Sequence, residues 1–272
     1  MHNYLVLGGT GTTGRRVADQ LRSSGHSVRT ASRTGSDVPL DLDDPATWQP
    51  ALTGITAAYL MEPTVRPGGR LARFTETALA SGVRRLVLLS AARAADPDHP
   101  LHSAEQLIRD SNAEWTILHP NWFAQNFNEG PWRSAVRSGT LALPAGEGRT
   151  AFIDADDIAA VAADALTTAA HHGRTYDLTG PEAITFAEAT AHITEASGRR
   201  IEYAALDAAE YTERQVAQGV PRFGAELLAG VLVSIANGEA GAPTGDVEQA
   251  LGRPARSFKT FAHAADWDIA NG

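Results

Sequence analysis

The chain has 272 residues, of which 43% are hydrophobic and 20% charged. That composition is globular, holds enough apolar side chains for a sizeable core, and excludes disorder and collagen. A net charge of −9 leaves no basic patch to dominate the surface, so no nucleic-acid partner is expected.

The absence of cysteine excludes disulfides, thiolate nucleophiles and Cys-based zinc sites, and it fits a reducing, cytoplasmic setting. Among 23 basic residues the sole lysine is Lys259. The N-terminal glycine loop therefore has no phosphate lysine of the Walker type, and a Schiff base could form only at Lys259. No run reaches the ~20 apolar residues that span a bilayer, so no membrane partner is expected. The apolar run Tyr4–Leu7 is too short for a signal-peptide core.

In chain order, Tyr4–Leu7 reads as a buried parallel strand ending in glycine. Arg15–Ser24 has helical spacing at Val17, Ala18 and Leu21, and Ser27–Ser32 reads as a second strand. A short third strand precedes Asp41. Gly54–Met61 is a strand and Leu71–Ser81 a helix that Gly82 ends. Arg85–Ser90 is a buried strand, Ser103–Ser111 a helix and Glu114–Leu118 a strand. Strands that alternate with helices imply right-handed crossovers and a parallel sheet. After about Pro120 the texture turns aromatic and amide-rich. Asp157–Ala170 follows as an alanine-rich helix, Arg174–Thr179 as a strand and Thr185–Ser197 as a helix. Ala208–Gly238 is mostly helical.

The most informative segment is Leu5–Gly14, with Gly8-x-x-Gly11-x-x-Gly14 between a strand and a helix. Glycines there allow a tight turn, close backbone approach to a pyrophosphate and helix packing on the sheet. The helix N-terminus then offers free N–H groups and a positive dipole end to the phosphates. An ordinary glycine-rich turn is the plain alternative, but the strand-loop-helix context is the one a dinucleotide requires. Gly8, Thr10, Gly11, Thr12, Thr13 and Gly14 are thus the expected cofactor loop.

An acidic residue some ~20 positions after the glycines would bind the free ribose 2′-OH of NAD. This chain instead has Ser32 and Arg33, which suit a 2′-phosphate, so NADPH is the expected cofactor. Arg15 would add charge, and Asp41-Leu42 would lie beside the adenine.

Taken together, the glycine start, Arg33, Leu88-Leu-Ser-Ala91, His102-Ser-Ala-Glu-Gln106 and Trp115 to Phe127 resemble the NmrA-like branch of atypical short-chain dehydrogenases/reductases. Phe152 to Ile158 and Gly173 to Gly180 extend the likeness over nearly the whole chain. The resemblance implies an α/β fold: a doubly wound parallel Rossmann sheet with a smaller C-terminal substrate-binding part. The expected division is 1–120 for the cofactor core and 121–272 for that second part, with some segments returning to the core. The resemblance also implies that Met61, Glu62 and Pro63 pass over the cofactor. Ser90 and Ala91 would lie near the nicotinamide ribose, with Pro120 and Asn121 flanking the nicotinamide. Trp122, Phe123 and Asn126 would face the substrate.

The chain also departs from its relatives. Typical short-chain enzymes pair a tyrosine with a lysine four residues on, and no Tyr-x-x-x-Lys occurs here. Where the branch often keeps a lysine after the fifth strand, this chain has Glu105-Gln106. His119 stands where relatives commonly have arginine. His102, just before a helix at the sheet's C-terminal edge, is the best-placed acid or base, ahead of Glu62 and Glu105; a surface loop histidine is its plain alternative.

Asp154, Asp156 and Asp157 open a helix and suit its dipole better than a metal, so no metal is expected. His171-His172 is expected to lie exposed at a helix end. Trp122, Phe123, Phe127 and Trp132, mixed with amides, suit a pocket wall somewhat better than plain core. The expected activity is NADPH-dependent hydride transfer to an activated C=C, C=N or quinone group of an apolar small molecule. The alternatives are an NADP(H)-sensing regulator without turnover, and a non-redox cyclase or isomerase that keeps the cofactor fold. A homodimer is left open.

Overall fold

The structure is a computed structural model that describes residues 3–62, 69–92, 94, 96–240 and 242–267. The chain divides into two compact units. The first comprises Met1–Asn121, Ala155–Leu178 and Asp246–Pro254; the second comprises Trp122–Asp154, Thr179–Gly245 and Ala255–Gly272.

The first unit is a doubly wound α/β sheet. Its strands are β1 (Asn3–Leu7), β2 (Ser27–Ser32), β3 (Val38–Pro39), β4 (Ala57–Met61), β5 (Arg85–Leu89), β6 (Glu114–Pro120) and β9 (Arg174–Leu178). They lie in the order β3-β2-β1-β4-β5-β6-β9, and every pair is parallel. Order reverses at β1, which places the switch point between β1 and β4.

An all-parallel sheet must be covered on both faces, so its strands are apolar throughout. Leu5, Ala58, Leu60, Leu86 and Leu88 point to one face, where they meet α2 (Trp48–Leu52), α3 (Arg70–Ala80) and α4 (His102–Asp110). Because side chains alternate along a strand, Val6, Tyr59 and Val87 point to the opposite face, and all are fully buried. There α1 (Thr12–Ser23) packs beside α6 (Ala155–Thr167), whose Ala159, Ala162 and Ala165 are buried. The short helix α10 (Asp246–Leu251) also packs on α6.

The second unit carries two small sheets. Parallel β7 (Thr140–Leu143) and β11 (Glu202–Ala205) form one, and antiparallel β8 (Arg149–Thr150) and β10 (Ile184–Thr185) form the other. Its helices are α5 (Arg133–Ser138), α7 (Phe186–Ser197), α8 (Ala208–Ala217), α9 (Arg222–Ala236) and α11 (Phe258–Ala264). A reciprocal cap between Thr185 and Glu188 fixes the start of α7. The core is aromatic. The Phe127 ring lies 4.9 Å from Trp132, 5.2 Å from Phe152 and 5.1 Å from Phe258, all edge-on. Phe127, expected in a pocket wall, is core: the rings of Trp132, Phe152, Phe186 and Phe258 surround it and it is fully buried, whereas Trp132 is buried and also lines a cavity of this unit. Among the described residues no helix is long and apolar enough to cross a membrane.

The turn from β1 into α1 is sterically tight. A Cβ on Gly14 would lie 2.2 Å from the Gly8 carbonyl oxygen, while one on Gly11 would meet only that oxygen, at 3.2 Å. Gly14→Ala should therefore lower the nucleotide-free thermal midpoint by several degrees, reflecting an overpacking cost of about 1–3 kcal/mol. Gly11→Ala should hardly move it. Equal midpoints for the two variants would refute this division of roles.

Candidate functional site

A cavity of about 340 Å³ lies at the C-terminal edge of β1, β2 and β4, within the first unit. The glycine loop forms its floor. Gly8 has φ +70°, a conformation that favours glycine, and its amide donates to Ala31 O at 2.8 Å. Gly11 is different. Its backbone is extended, with φ −82° and ψ 175°, and its missing Cβ would strike no side chain. The packing of the fold thus demands glycine less strictly there than at Gly14. Gly11 also precedes α1 with no side-chain cap and no acidic residue in the first turn. The helix end thus remains free to face an anion.

One corner of the cavity is formed by Ser32, Arg33 and Thr34 at the end of β2. Arg33 is exposed. Ser32 Oγ donates to Thr34 O at 2.6 Å and shares a 2.8 Å hydrogen bond with Ser36. The nearest acid in sequence, Asp37, is held elsewhere. Its Oδ2 accepts from Thr30 N and Thr30 Oγ1, both at 2.8 Å, and pairs with Arg22 at 2.9 Å. The backbone hydrogen bond from Thr30 leads in lowering its pKa below the usual carboxylate range.

The opposite wall is Leu40, Asp41, Leu42 and Asp43, with Met61 beside Gly8. Asp41 is anchored from both ends: its carbonyl accepts from Trp48 Nε1 at 2.8 Å, and its carboxylate from Asp43 N at 3.0 Å. Sequence reasoning missed Arg70. This arginine lines the cavity, is 8% exposed, and pairs with Glu62 through two nitrogens and with Asp43 at 2.6 Å. No motif or spacing marks Arg70; only the fold brings α3 beside Glu62 and Asp43.

Of the expected cofactor residues, Gly8, Thr10, Gly11, Ser32, Arg33, Asp41, Leu42 and Met61 line this cavity. Thr12, Thr13, Gly14 and Glu62 are not on its wall. Thr13 Oγ1 accepts from the buried Tyr59 hydroxyl at 3.0 Å, and burial pushes the Tyr59 pKa far up. Glu62 is committed to Arg70 and is no free acid. Pro63 lies outside the described residues. Ser90, Ala91, Pro120 and Asn121 sit at the ends of β5 and β6, along the same edge of the sheet but beyond this cavity.

His102 is the first residue of α4, half-buried, with Nδ1 3.2 Å from the Ala94 carbonyl. In the second unit, Trp122 stacks on Trp132 at 5.3 Å, Phe123 bridges to Ile153, and Asn126 is half-buried. Lys259 is spent on Glu195 at 3.1 Å. Asp154 pairs with Arg256, Asp156 with Arg16 and Asp157 with Arg253.

His171 departs from expectation. It is buried rather than exposed, and its ring bridges Tyr176 OH at 2.9 Å and Asp164 Oδ2 at 2.8 Å. The turn before β9 carries it under the strand, where those two partners satisfy both ring nitrogens.

A buried polar network occupies the edge beyond the cavity. Glu105, 2% exposed, accepts from Ser90 Oγ, from His119 Nε2 at 2.7 Å and from Arg109 at 3.2 Å. His119 Nδ1 lies 3.2 Å from Asp177. Burial alone would raise the Glu105 pKa, but hydrogen bonds from His119 and Ser90 outweigh it and bring the value to about 2. Burial opposes charge on His119 as well, yet Glu105 and Asp177 raise its pKa.

Residues 8–169 match the NAD(P)H-binding family. The chain belongs to that family. This NAD(P)H-binding protein is 34% identical to the uncharacterized oxidoreductase YesF of Bacillus subtilis, over 97% of this chain and 96% of that one. It is 32% identical to festuclavine synthase I of Penicillium roqueforti, over 95% and 96%. The NADP(H) complex of the Citrobacter sp. triphenylmethane reductase has the same fold, with a TM-score of 0.73 and 23% identity over 97% of this chain and all of that one. The NmrA-like resemblance of the sequence holds, and NmrA itself shares the fold.

Two outcomes follow from the geometry. Gly11→Val should abolish nucleotide binding by titration while leaving the far-UV dichroism intact; unchanged affinity would make the loop an ordinary turn. The Glu105–His119 pair also has a defined pH window. A depressed carboxylate stabilises above its ordinary pKa, and that contribution is lost as pH falls through the folded value. A raised histidine stabilises below its ordinary pKa, and that contribution is lost as pH rises through the folded value. The loss of thermal midpoint in His119→Gln should thus be largest between about pH 4.3 and 6.5 and shrink at higher pH. A pH-independent difference would contradict the assignment of charge.

Proposed function

We propose that the protein is an NADPH-dependent reductase that transfers hydride to an activated C=C, C=N or quinone group of an apolar small molecule. The observation that carries the cofactor choice is the corner at the end of β2. Ser32 and Arg33 line it, while Asp37, the acid that could favour a free 2′-OH, is held by Thr30 and Arg22. The Arg33 guanidinium suits a dianionic 2′-phosphate, and the Ser32 hydroxyl, turned from the Thr34 carbonyl, would donate to it. Kinship with oxidoreductases along almost the whole chain supports the redox class.

The acceptor class follows from what the chain lacks. There is no Tyr-x-x-x-Lys, Tyr59 is buried against Thr13, and Glu62 is paired with Arg70. Hydride addition to a simple ketone needs an acid to meet the developing alkoxide. An iminium already carries positive charge and a quinone is intrinsically electrophilic, so neither depends strongly on such a group. The cofactor, when bound, supplies the hydride; the chain supplies orientation.

His102 is the proposed helpful acid. The Ala94 carbonyl can only accept, so it holds a hydrogen on Nδ1 and leaves Nε2 as the nitrogen that would take up a proton and, from the imidazolium form, deliver it. Trp122, Phe123 and Asn126 are the proposed substrate contacts, and residues 121–272, apart from segments that return to the cofactor core, the proposed substrate-binding part.

Arg33→Ala should weaken NADPH binding by ~1.5–3 kcal/mol and leave NADH nearly unchanged. Equal losses in paired titrations would reject the 2′-phosphate role. His102→Ala should slow turnover of neutral enones far more than that of iminium or quinone acceptors, with NADPH affinity unmoved. NADPH deuterated at both C4 positions decides the reaction class with iminium or enone acceptors, where the hydride ends on carbon. Label should appear on that carbon; conversion without label and without oxidation of NADPH would establish a non-redox reaction, and no conversion of any acceptor would favour a sensor.

A further inference from the structure

The chemistry proposed above leaves Glu105 without a role, although it is buried and held by three donors. Burying an ionised carboxylate is costly unless every lone pair finds a donor. Glu105 recruits three from different elements: Ser90 at the end of β5, His119 on β6 and Arg109 on its own helix. Arg109 is itself fixed, by a 3.0 Å hydrogen bond to Thr175 and by the Trp115 ring 5.0 Å away. His119 is fixed by Asp177, whose backbone N–H donates to Asp246 at 2.7 Å. The arrangement is far more rigid than a lone surface acid would be.

Its consequence falls on Ser90. An ionised carboxylate only accepts, so the Ser90 hydroxyl must donate its single hydrogen to Glu105. What remains on Ser90 Oγ is acceptor capacity alone. A serine hydroxyl ordinarily rotates to suit either kind of partner; this one is fixed as an acceptor.

The position of Ser90 gives that a use. In a doubly wound sheet a dinucleotide lies across the switch point, with one nucleotide over each half. The cavity at β1, β2 and β4 takes the adenine half. The other half must then extend over the ends of β4, β5 and β6, and Ser90 is the first residue past β5. Neighbouring strands are about 4.8 Å apart, so the end of β5 is one strand beyond Met61 on the cavity wall. The nicotinamide half carries donors there: two ribose hydroxyls and the carboxamide NH₂.

We propose that Glu105 is a positioning residue that fixes Ser90 as a hydrogen-bond acceptor for a donor of the nicotinamide riboside, so that Glu105 sets the seat of the redox half of the cofactor without touching it. This rests on the nucleotide assignment made above.

Two probes separate the halves. NADPH contains both; adenosine 2′,5′-bisphosphate contains only the adenine half. Ser90→Ala and the isosteric Glu105→Gln should each weaken NADPH about fivefold, the scale of one neutral hydrogen bond. Neither should change the affinity for the bisphosphate. Because Glu105 acts through Ser90, the double variant should be little worse than either single one. A merely structural role for Glu105 would weaken both probes together or add to the effect of Ser90→Ala. If Glu105→Gln fails to fold, Ser90→Ala still decides, since it leaves the carboxylate with His119 and Arg109. Unchanged NADPH affinity in Ser90→Ala overturns the proposal. Failure of the wild type to bind the bisphosphate while binding NADH would instead refute the Arg33 assignment. NADH titrations of the same variants would then decide the role of Ser90.

Discussion

The contact on which the site depends is the approach of α1 to the Gly8 carbonyl. Only a residue without a Cβ fits at Gly14, where the added atom would sit 2.2 Å from that oxygen. The closeness lets the first turn of α1 begin at Thr12, directly above the end of β1, with the uncapped helix end turned to the cavity. Gly9 serves the same end, since a Cβ there would meet Thr30 at 2.4 Å. Three glycines thus shape the loop, and the fourth, Gly11, leaves the space that a pyrophosphate needs.

Electrostatic choice is made around that loop by removal as much as by provision. Carboxylates are not scarce near the cavity, but most are committed. Asp37 is bound to Thr30 and Arg22, Glu62 is bound to Arg70, and Asp43 shares the same arginine. Paired acids cost less to hold near an anionic ligand than free ones do. The exposed Arg33 is left to dominate its corner. At the other end of the edge, Glu105 is neutralised by His119 and Arg109 in the same manner. Each acid therefore orients a neighbouring group rather than opposing the cofactor directly.

The second unit is held by a different kind of force. Five rings, Phe127, Trp132, Phe152, Phe186 and Phe258, pack edge-on or tilted around one centre. Aromatic side chains bury large areas with few rotatable bonds, so a small unit with two short sheets can still hold a core. Trp122, stacked on Trp132, extends from that core as its partly buried outer layer.

The sequence by itself determined the sheet, its longer helices and the cofactor loop; the short α2 and α10 carried no such signal. Those features are local: runs of buried aliphatics, helical spacing and glycines at fixed intervals each act within a few residues. Ser32, Arg33, Asp41 and Leu42 were legible for the same reason, since they end or closely follow strands whose ends define the cavity. Tertiary structure alone decided which polar groups remain available. Nothing in the spacing links Arg70 to Glu62, His171 to Asp164, or Glu105 to Ser90 and His119, because each pair is brought together by packing between separate elements. It also decided that Phe127 is core, since burial depends on what surrounds a ring and not on its neighbours in sequence. Burial and pairing are sums over the whole fold, and they set the charge and the donor or acceptor character of every group at the site.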